Sequence, residues 1–344
     1  MAAADTGPQP PGPPDGNPGI TMWGPPSAGK TTFLAALHVA LMRRRKAAWL
    51  LVPEDQSSRN NLVRLTTVLT SGGTFPQATA QIDEYHWSLV KQRQRPLPQT
   101  WLWRWWRRLL QAPEAAARVP LDVYDPSGFA AGEMNFGTDL GNRLVRDLVN
   151  SAGIIFLFDP ITEFERGDAF SYTYGVMVQL LELLGREGRL PHFVAVCITK
   201  FDEIRVLGSA EKWNLVDIDK GDELEFPRVP DEDARTFLEN LCRVSQSDTA
   251  DLVLNMLDQH FYPERVKFFV TSAIGFYLNP MLRPRVFDPD DYQNHVVEVR
   301  RISSGKSEVT TRIRGAIHPI NVIEPILWLT ENVARTAAEW TPRQ

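Results

Sequence analysis

The sequence predicts an α/β domain, with a mostly parallel central sheet and helices on both faces, over residues 19–338. Three observations predict it. Short apolar runs alternate with amphipathic helical stretches along most of the chain. The run Gly153-Ile154-Ile155-Phe156-Leu157-Phe158 is continuously apolar, as in a strand covered on both faces. Between the apolar run Ile20-Thr21-Met22-Trp23 and a helical pattern from Thr31 stands Gly24-Pro25-Pro26-Ser27-Ala28-Gly29-Lys30-Thr31, whose spacing is that of a phosphate-binding strand-to-helix loop.

Composition bounds the rest. With 344 residues and 43% hydrophobic content the chain can bury a sizeable core. A net charge of -5 argues against a globally basic nucleic-acid binder, so no nucleic-acid partner is expected. Cys197 and Cys242 give neither a disulfide framework nor metal-ligand spacing, and Cys197 lies in an apolar run suited to a buried thiol; a reducing cytoplasm is expected. No apolar stretch reaches the ~18 residues of a membrane span, and no signal-peptide core is expected at the start.

Residues 1–18, rich in Pro, Gly and Ala, are expected to be a disordered tail. In the loop that follows, Gly24 and Gly29 let the backbone turn tightly and approach an anion, with N–H groups aimed at a phosphate at the positive end of a helix. Lys30 would neutralise β- and γ-oxygens and the Thr31 hydroxyl would ligate Mg²⁺. The candidate nucleotide contacts here are Gly24, Ser27, Ala28, Gly29, Lys30, Thr31 and Thr32. A helix is predicted from Thr31 to Lys46, its terminal Arg43-Arg44-Arg45-Lys46 suiting a helix C-terminus better than a nucleic-acid contact. Trp49 to Val52 predicts a strand, and Ser57 to Leu69 a helix that stops at Gly72-Gly73.

A threonine on the loop before the next extended segment, Tyr85 to Val90, is where a nucleotide-sensing switch places a hydroxyl on Mg²⁺. Thr79 is the candidate and Thr74 the runner-up, with an ordinary surface threonine as the bland alternative. Trp101 to Leu110 sorts its Trp and Leu residues into an arc of roughly 200° and its arginines into the remainder, with Thr100 as cap and Pro113 beyond the end. The favoured reading is an inserted helix packing its Trp face on the domain. A partner-binding helix, or an interfacial helix giving weak membrane contact, is the alternative.

Val119 to Tyr124 predicts a strand that delivers Asp125 beside the phosphate loop as a Mg²⁺ ligand through water, with Gly128 offering a backbone N–H to the γ-phosphate. The residue after that glycine, which in such switches positions the attacking water, is Phe129. Phenylalanine has no hydrogen-bonding group, so hydrolysis should be slow, use Glu133, or need a partner. A helix from Asp139 to Asn150, a helix from Asp168 to Gly185 and a strand from His192 to Ile198 continue the alternation.

That strand ends in Thr199-Lys200-Phe201-Asp202. A carboxylate here accepts from guanine N1 and N2, which adenine does not supply, while the Lys200 stem covers the base; a helix cap at Asp202 is the alternative. Strand Val266 to Val270 then runs into Thr271-Ser272-Ala273, where Ser272 and Ala273 would offer backbone N–H to guanine O6.

Phosphate loop, Asp-x-x-Gly, Thr-Lys-x-Asp and Ser-Ala stand in the order of a guanine-nucleotide site. Over roughly 20–335 the chain resembles the Ras-like P-loop GTPases of the translation-factor-related class, which implies a three-layer P-loop NTPase fold of GTPase type, GTP/GDP and Mg²⁺ as ligands, and catalytic roles for Lys30, Thr79, Gly128 and Glu133. The loop with its Thr-Phe-Leu-Ala-Ala-Leu continuation, the Phe-Pro-x-x-Thr stretch and Asn321 to Trp328 look like the prokaryotic double-GTPase domains of conflict gene systems. That resemblance implies regulator or effector partners, and a second GTPase would be another chain. Thr199 where Asn is usual keeps a hydrogen-bonding side chain, whereas Phe129 where Gln is usual puts unaided hydrolysis in doubt. The competing function is a non-hydrolysing, nucleotide-bound interaction module that presents the Trp/Arg helix.

Insertions are expected near 97–118, 206–230 and 280–316. The last holds a predicted β-hairpin, His295 to Ile302 and Ser307 to Arg314, read as a solvated edge hairpin protected by charge, with a partner or nucleic-acid surface marked by Arg300, Arg301, Arg312 and Arg314 as the alternative. A closing helix, Asn321 to Ala338, presents Ile323, Ile326, Leu327, Leu329 and Val333 to the sheet.

Overall fold

The computed structural model describes residues 19–25, 27–43, 49–76, 83–91, 118–125, 139–167, 169–184, 189–245, 250–301 and 307–340. Seven strands form the central sheet: β1 (Gly19–Trp23), β2 (Trp49–Pro53), β3 (Asp83–Lys91), β4 (Arg118–Asp125), β5 (Ser151–Phe158), β6 (Phe193–Ile198) and β9 (Val266–Val270). Their order is β2-β3-β4-β1-β5-β6-β9. The block β4-β1-β5-β6-β9 is parallel, and β3 and β2 add antiparallel at one side.

Helices cover both faces because the central strands are apolar on both. In β5, Ile154, Phe156 and Phe158 point to one core and Ile155 and Leu157 to the other, the period-2 alternation of a strand. The first core takes Leu144, Val145 and Leu148 of α3 (Asp139–Asn150), Val176, Met177 and Leu180 of α5 (Ala169–Leu184), and Phe237, Leu238 and Leu241 of α7 (Ala234–Val244). It also takes α6 (Ile204–Lys212) and α8 (Ala250–His260). The second takes α1 (Lys30–Arg43), α2 (Gln56–Thr70) and α9 (Glu324–Trp340), which buries Ile326, Leu329 and Val333 as expected. Each such buried side chain contributes roughly 1.5–3 kcal/mol before entropy is counted, so both layers are needed to hold the sheet.

Local chemistry fixes the helix ends. Asp55 caps α2 by accepting from Ser58 N at 2.7 Å, and Gly73 beyond its end has φ 58. One helix escapes the sequence pattern: α4 (Pro160–Arg166), a short segment capped by Asp159, with Pro160 in its first turn and Gly167 at φ 64 closing it. The insertion near 206–230 is α6 followed by a two-strand ribbon, β7 (Asp217–Ile218) with β8 (Pro227–Arg228), which presents Phe226 and Val229 to the first core. The late hairpin, β10 (His295–Arg301) with β11 (Ser307–Ile313), forms its own sheet and does not extend the central one. The hairpin predicted there is present, as a ribbon separate from the central sheet with Val296 and Val297 exposed. The segment 101–110 lies outside the described residues, and no helix among those described is long and apolar enough to cross a membrane.

Candidate nucleotide site

At the carboxyl ends of the parallel strands, where an open α/β sheet takes its ligands, lies a cavity of about 500 Å³. Ser27, Ala28, Gly29, Lys30, Thr31 and Thr32 form its floor. Thr199, Lys200 and Asp202 from the end of β6 and Thr271 and Ala273 from the end of β9 form its far wall. Residues more than 160 positions apart in sequence are thus brought to one space, as the motif order predicts.

The loop between β1 and α1 has Ser27 at φ 66 and Gly29 at φ 87. A non-glycine residue at positive φ costs on the order of 1 kcal/mol, and such outliers gather at ligand sites. Lys200, at φ 59, is a second one on the same cavity. The two glycines of the loop have different reasons. A Cβ on Gly29 would meet nothing within 4 Å, so its requirement is the dihedral alone. A Cβ on Gly24 would stand 2.8 Å from the Leu157 carbonyl oxygen, so this glycine is required by packing of β1 on β5. This requirement adds to its predicted role in the turn, and Gly24 is not among the residues that line the cavity. Lys30 is 4% exposed, and its ammonium donates to the Gly24 and Pro25 carbonyls at 3.1 and 3.0 Å.

At the other end Asp202 is 6% exposed and accepts from the Ser272 hydroxyl, while His295 Nδ1 stands 3.9 Å from its second oxygen. Burial raises the carboxyl above its usual range; the Ser272 hydrogen bond and the His295 charge oppose this, and Glu203 adds to it. Asp202 does not cap the next helix. Glu203 does, accepting from Arg205 N, so the alternative reading of Asp202 falls. The Ser272 N–H is given to Ile320 O at 3.0 Å, which corrects its predicted contact with a base oxygen; the serine serves Asp202 through its hydroxyl instead. Among the described residues the Ala273 N–H has no acceptor, so that half of the Ser-Ala expectation has a free donor. Thr199 spends its hydroxyl on Phe158 O at 3.1 Å and ties β6 to β5.

The structure adds residues that sequence reasoning missed. Asp159 holds the Lys200 ammonium at 2.6 Å while accepting from Ile161 N and Thr162 N, so α4 and the lysine share one buried carboxylate. Phe75, Pro76, Ile161 and Glu203 line the cavity, as do His295, Val297 and Thr311 of the hairpin. Of these, Phe75 and Pro76 stand in the Phe-Pro-x-x-Thr stretch singled out in the sequence. Thr74 forms an isolated bridge with Arg312.

Thr79, Gly128, Phe129 and Glu133 lie outside the described residues. Asp125 ends β4, two residues past the pairing of Val123 with Met22 and so at the level of the loop. Thr31 lies on the cavity floor, while of Asp125 only the backbone position at the end of β4 is described. Both thiols are removed from this chemistry: burial pushes Cys197 far up and Cys242 up to about 12.

Loop, strand order and cavity define a three-layer P-loop α/β fold of GTPase type. No family model and no curated protein matches the chain. Among solved structures it is similar to the signal recognition particle receptor SRb-GTP/SRX complex from Chaetomium thermophilum, with 14% identity over 76% of this chain and 92% of that one and a TM-score of 0.37. It is also similar to Sup35 complexed with GDP, with 13% identity over 75% of this chain and 38% of that one and a TM-score of 0.27.

Proposed function

We propose that this chain is a guanine-nucleotide switch that hydrolyses GTP slowly on its own and faster with a protein partner. The observation that carries the reading is the single cavity lined both by Ser27–Thr32 and by Thr199, Lys200 and Asp202. A triphosphate placed there would draw the Lys30 ammonium from the Gly24 and Pro25 carbonyls onto its β- and γ-oxygens. Asp202 would accept from guanine N1 and N2 with the lone pairs that Ser272 leaves open, and Ala273 would donate to O6.

Thr31, Asp125 and Thr79 would hold Mg²⁺, which supplies charge neutralisation for the phosphates. Water attacking the γ-phosphorus breaks the bond to the β–γ bridging oxygen, and its proton leaves with the phosphate. Gly128 and Glu133 are the candidate contacts to that end, and Phe129 withholds a water-positioning group, so hydrolysis is slow until a partner supplies one, an effect of about 10³ to 10⁵ in known cases. The likeness to double-GTPase domains of conflict systems favours a second GTPase chain, or a regulator or effector, as that partner, in a reducing cytoplasm.

The test is thermal unfolding against GDP, GTP and ADP with Mg²⁺. Ligand at 100 times its Kd stabilises the fold by ~2.7 kcal/mol, so guanine nucleotides raise the Tm, ADP does not, and Lys30→Ala removes the shift. Equal shifts with ADP and GDP would sink the guanine reading.

A further inference from the structure

The hairpin's position carries an inference beyond the four sequence motifs. In register, His295 faces Ile313 and Val297 faces Thr311, so strand alternation puts these residues on one face of the ribbon. Ile313 is buried, whereas His295, Val297 and Thr311 line the nucleotide cavity. Val297 is 60% exposed there, an apolar side chain turned toward open space in a binding pocket. The opposite face carries the charge, with Arg312 3.2 Å from Glu298.

The ribbon is anchored where it meets the pocket. Ile313 N donates to Gly73 O at 2.7 Å, which joins β11 to the segment that runs into Phe75 and Pro76. At its base Arg314 pairs with Asp291 at 2.7 Å, and the Asn294 amide donates to Ile274 O and Ala316 O. His295, 3.9 Å from Asp202, places this part of the ribbon beside that carboxylate.

We propose that the inward face of the β10–β11 hairpin is a further binding surface for the nucleoside half of the nucleotide. Val297 packs on the ribose and base, Thr311 offers its hydroxyl, and His295 is a positioning residue that fixes the free oxygen of Asp202. This rests on the guanine-nucleotide reading above. The hairpin adds a further wall to the pocket, and its contacts act on the rate of release.

The experiment is release of tritiated GDP, chased with unlabelled GDP, from the parent and from three variants. These are Val297→Ala/Thr311→Ala, His295→Ala, and the outer-face control Val296→Ala/Glu298→Ala, all at exposed or half-buried side chains. The inner-face double variant is expected to release GDP about tenfold faster and His295→Ala several-fold faster, while the control stays within about twofold. Inosine diphosphate, which lacks the N2 amine, should show the same ratio for the double variant and a smaller one for His295→Ala. Inner-face variants that release GDP at the parent rate, or inner and outer variants that accelerate alike, overturn the proposal. Binding that is lost in Lys30→Ala but indifferent to the inner face overturns the hairpin alone, and a parent chain that binds no guanine nucleotide overturns both readings.

Discussion

The two ends of the pocket are prepared for a ligand in opposite ways. At the phosphate end the buried charge is satisfied in advance, because Lys30 rests on two carbonyls of its own loop. At the base end Asp202 is buried with one hydroxyl donor and an imidazole 3.9 Å away, so its charge is costly until something else donates to it. On the guanine-nucleotide reading proposed above, the difference would assign affinity to one end and discrimination to the other. Any phosphate can replace the carbonyls, whereas only a base with two adjacent donors relieves the carboxylate.

Lys30→Ala should have the largest effect. Removing the charge costs about 2–5 kcal/mol of binding, and guanine and adenine nucleotides should suffer alike in calorimetric titration. A loss confined to guanine would break the division of labour. Asp202→Ala comes next, weakening GDP by about 1.5–3 kcal/mol while leaving ADP untouched. Urea unfolding of the nucleotide-free variant should show no comparable loss, since the group removed is one that burial penalises.

Acidification sharpens the same point. The Asp202 carboxyl is raised in the folded protein by burial, with Ser272 and His295 opposing and Glu203 adding. Its contribution to stability is therefore fully present below the unfolded pKa and is lost as pH rises through the folded one. Guanine binding needs the ionised form and has the opposite dependence: GDP affinity falls, by at most tenfold per pH unit for one proton, as pH drops through the raised pKa. ADP affinity should not follow, and parallel titrations of both nucleotides check it. The smallest effect belongs to the glycines. Gly24→Ala must move the Leu157 carbonyl and should cost about 1–3 kcal/mol in urea unfolding, more than Gly29→Ala, which pays only about 1 kcal/mol of dihedral strain.

The parts of this site that were legible in the sequence are those whose chemistry is local. Gly24 to Thr31 and Thr199 to Asp202 each carry their spacing within a few residues, and the apolar run of β5 announces a strand buried on both faces. What stayed hidden is contact between distant segments. Asp159 reads as the end of an apolar run, and nothing near it says that it holds Lys200. The hairpin is readable as a hairpin from its alternation, but its place beside Asp202 is set by Asn294, Arg314 and the Gly73 carbonyl, which no periodicity encodes. At Gly24 the spacing identified the residue, and packing against the Leu157 carbonyl adds a reason that no local spacing encodes.

The tie between Gly73 and Ile313 bears on the order in which the molecule can be built. The phosphate loop and the segment that meets the hairpin come from the first quarter of the chain, whereas the ribbon that faces them is near its end. Contacts of such long sequence separation form late, because loop closure must precede any reward. During synthesis the strands from β1 to β9 emerge before the ribbon does, and on the proposed reading a nucleotide taken up then would exchange faster. On the proposal that the inner face of the hairpin holds the nucleoside, release would slow further once residue 313 reaches Gly73, which would join a last step of folding to a slowing of ligand exchange.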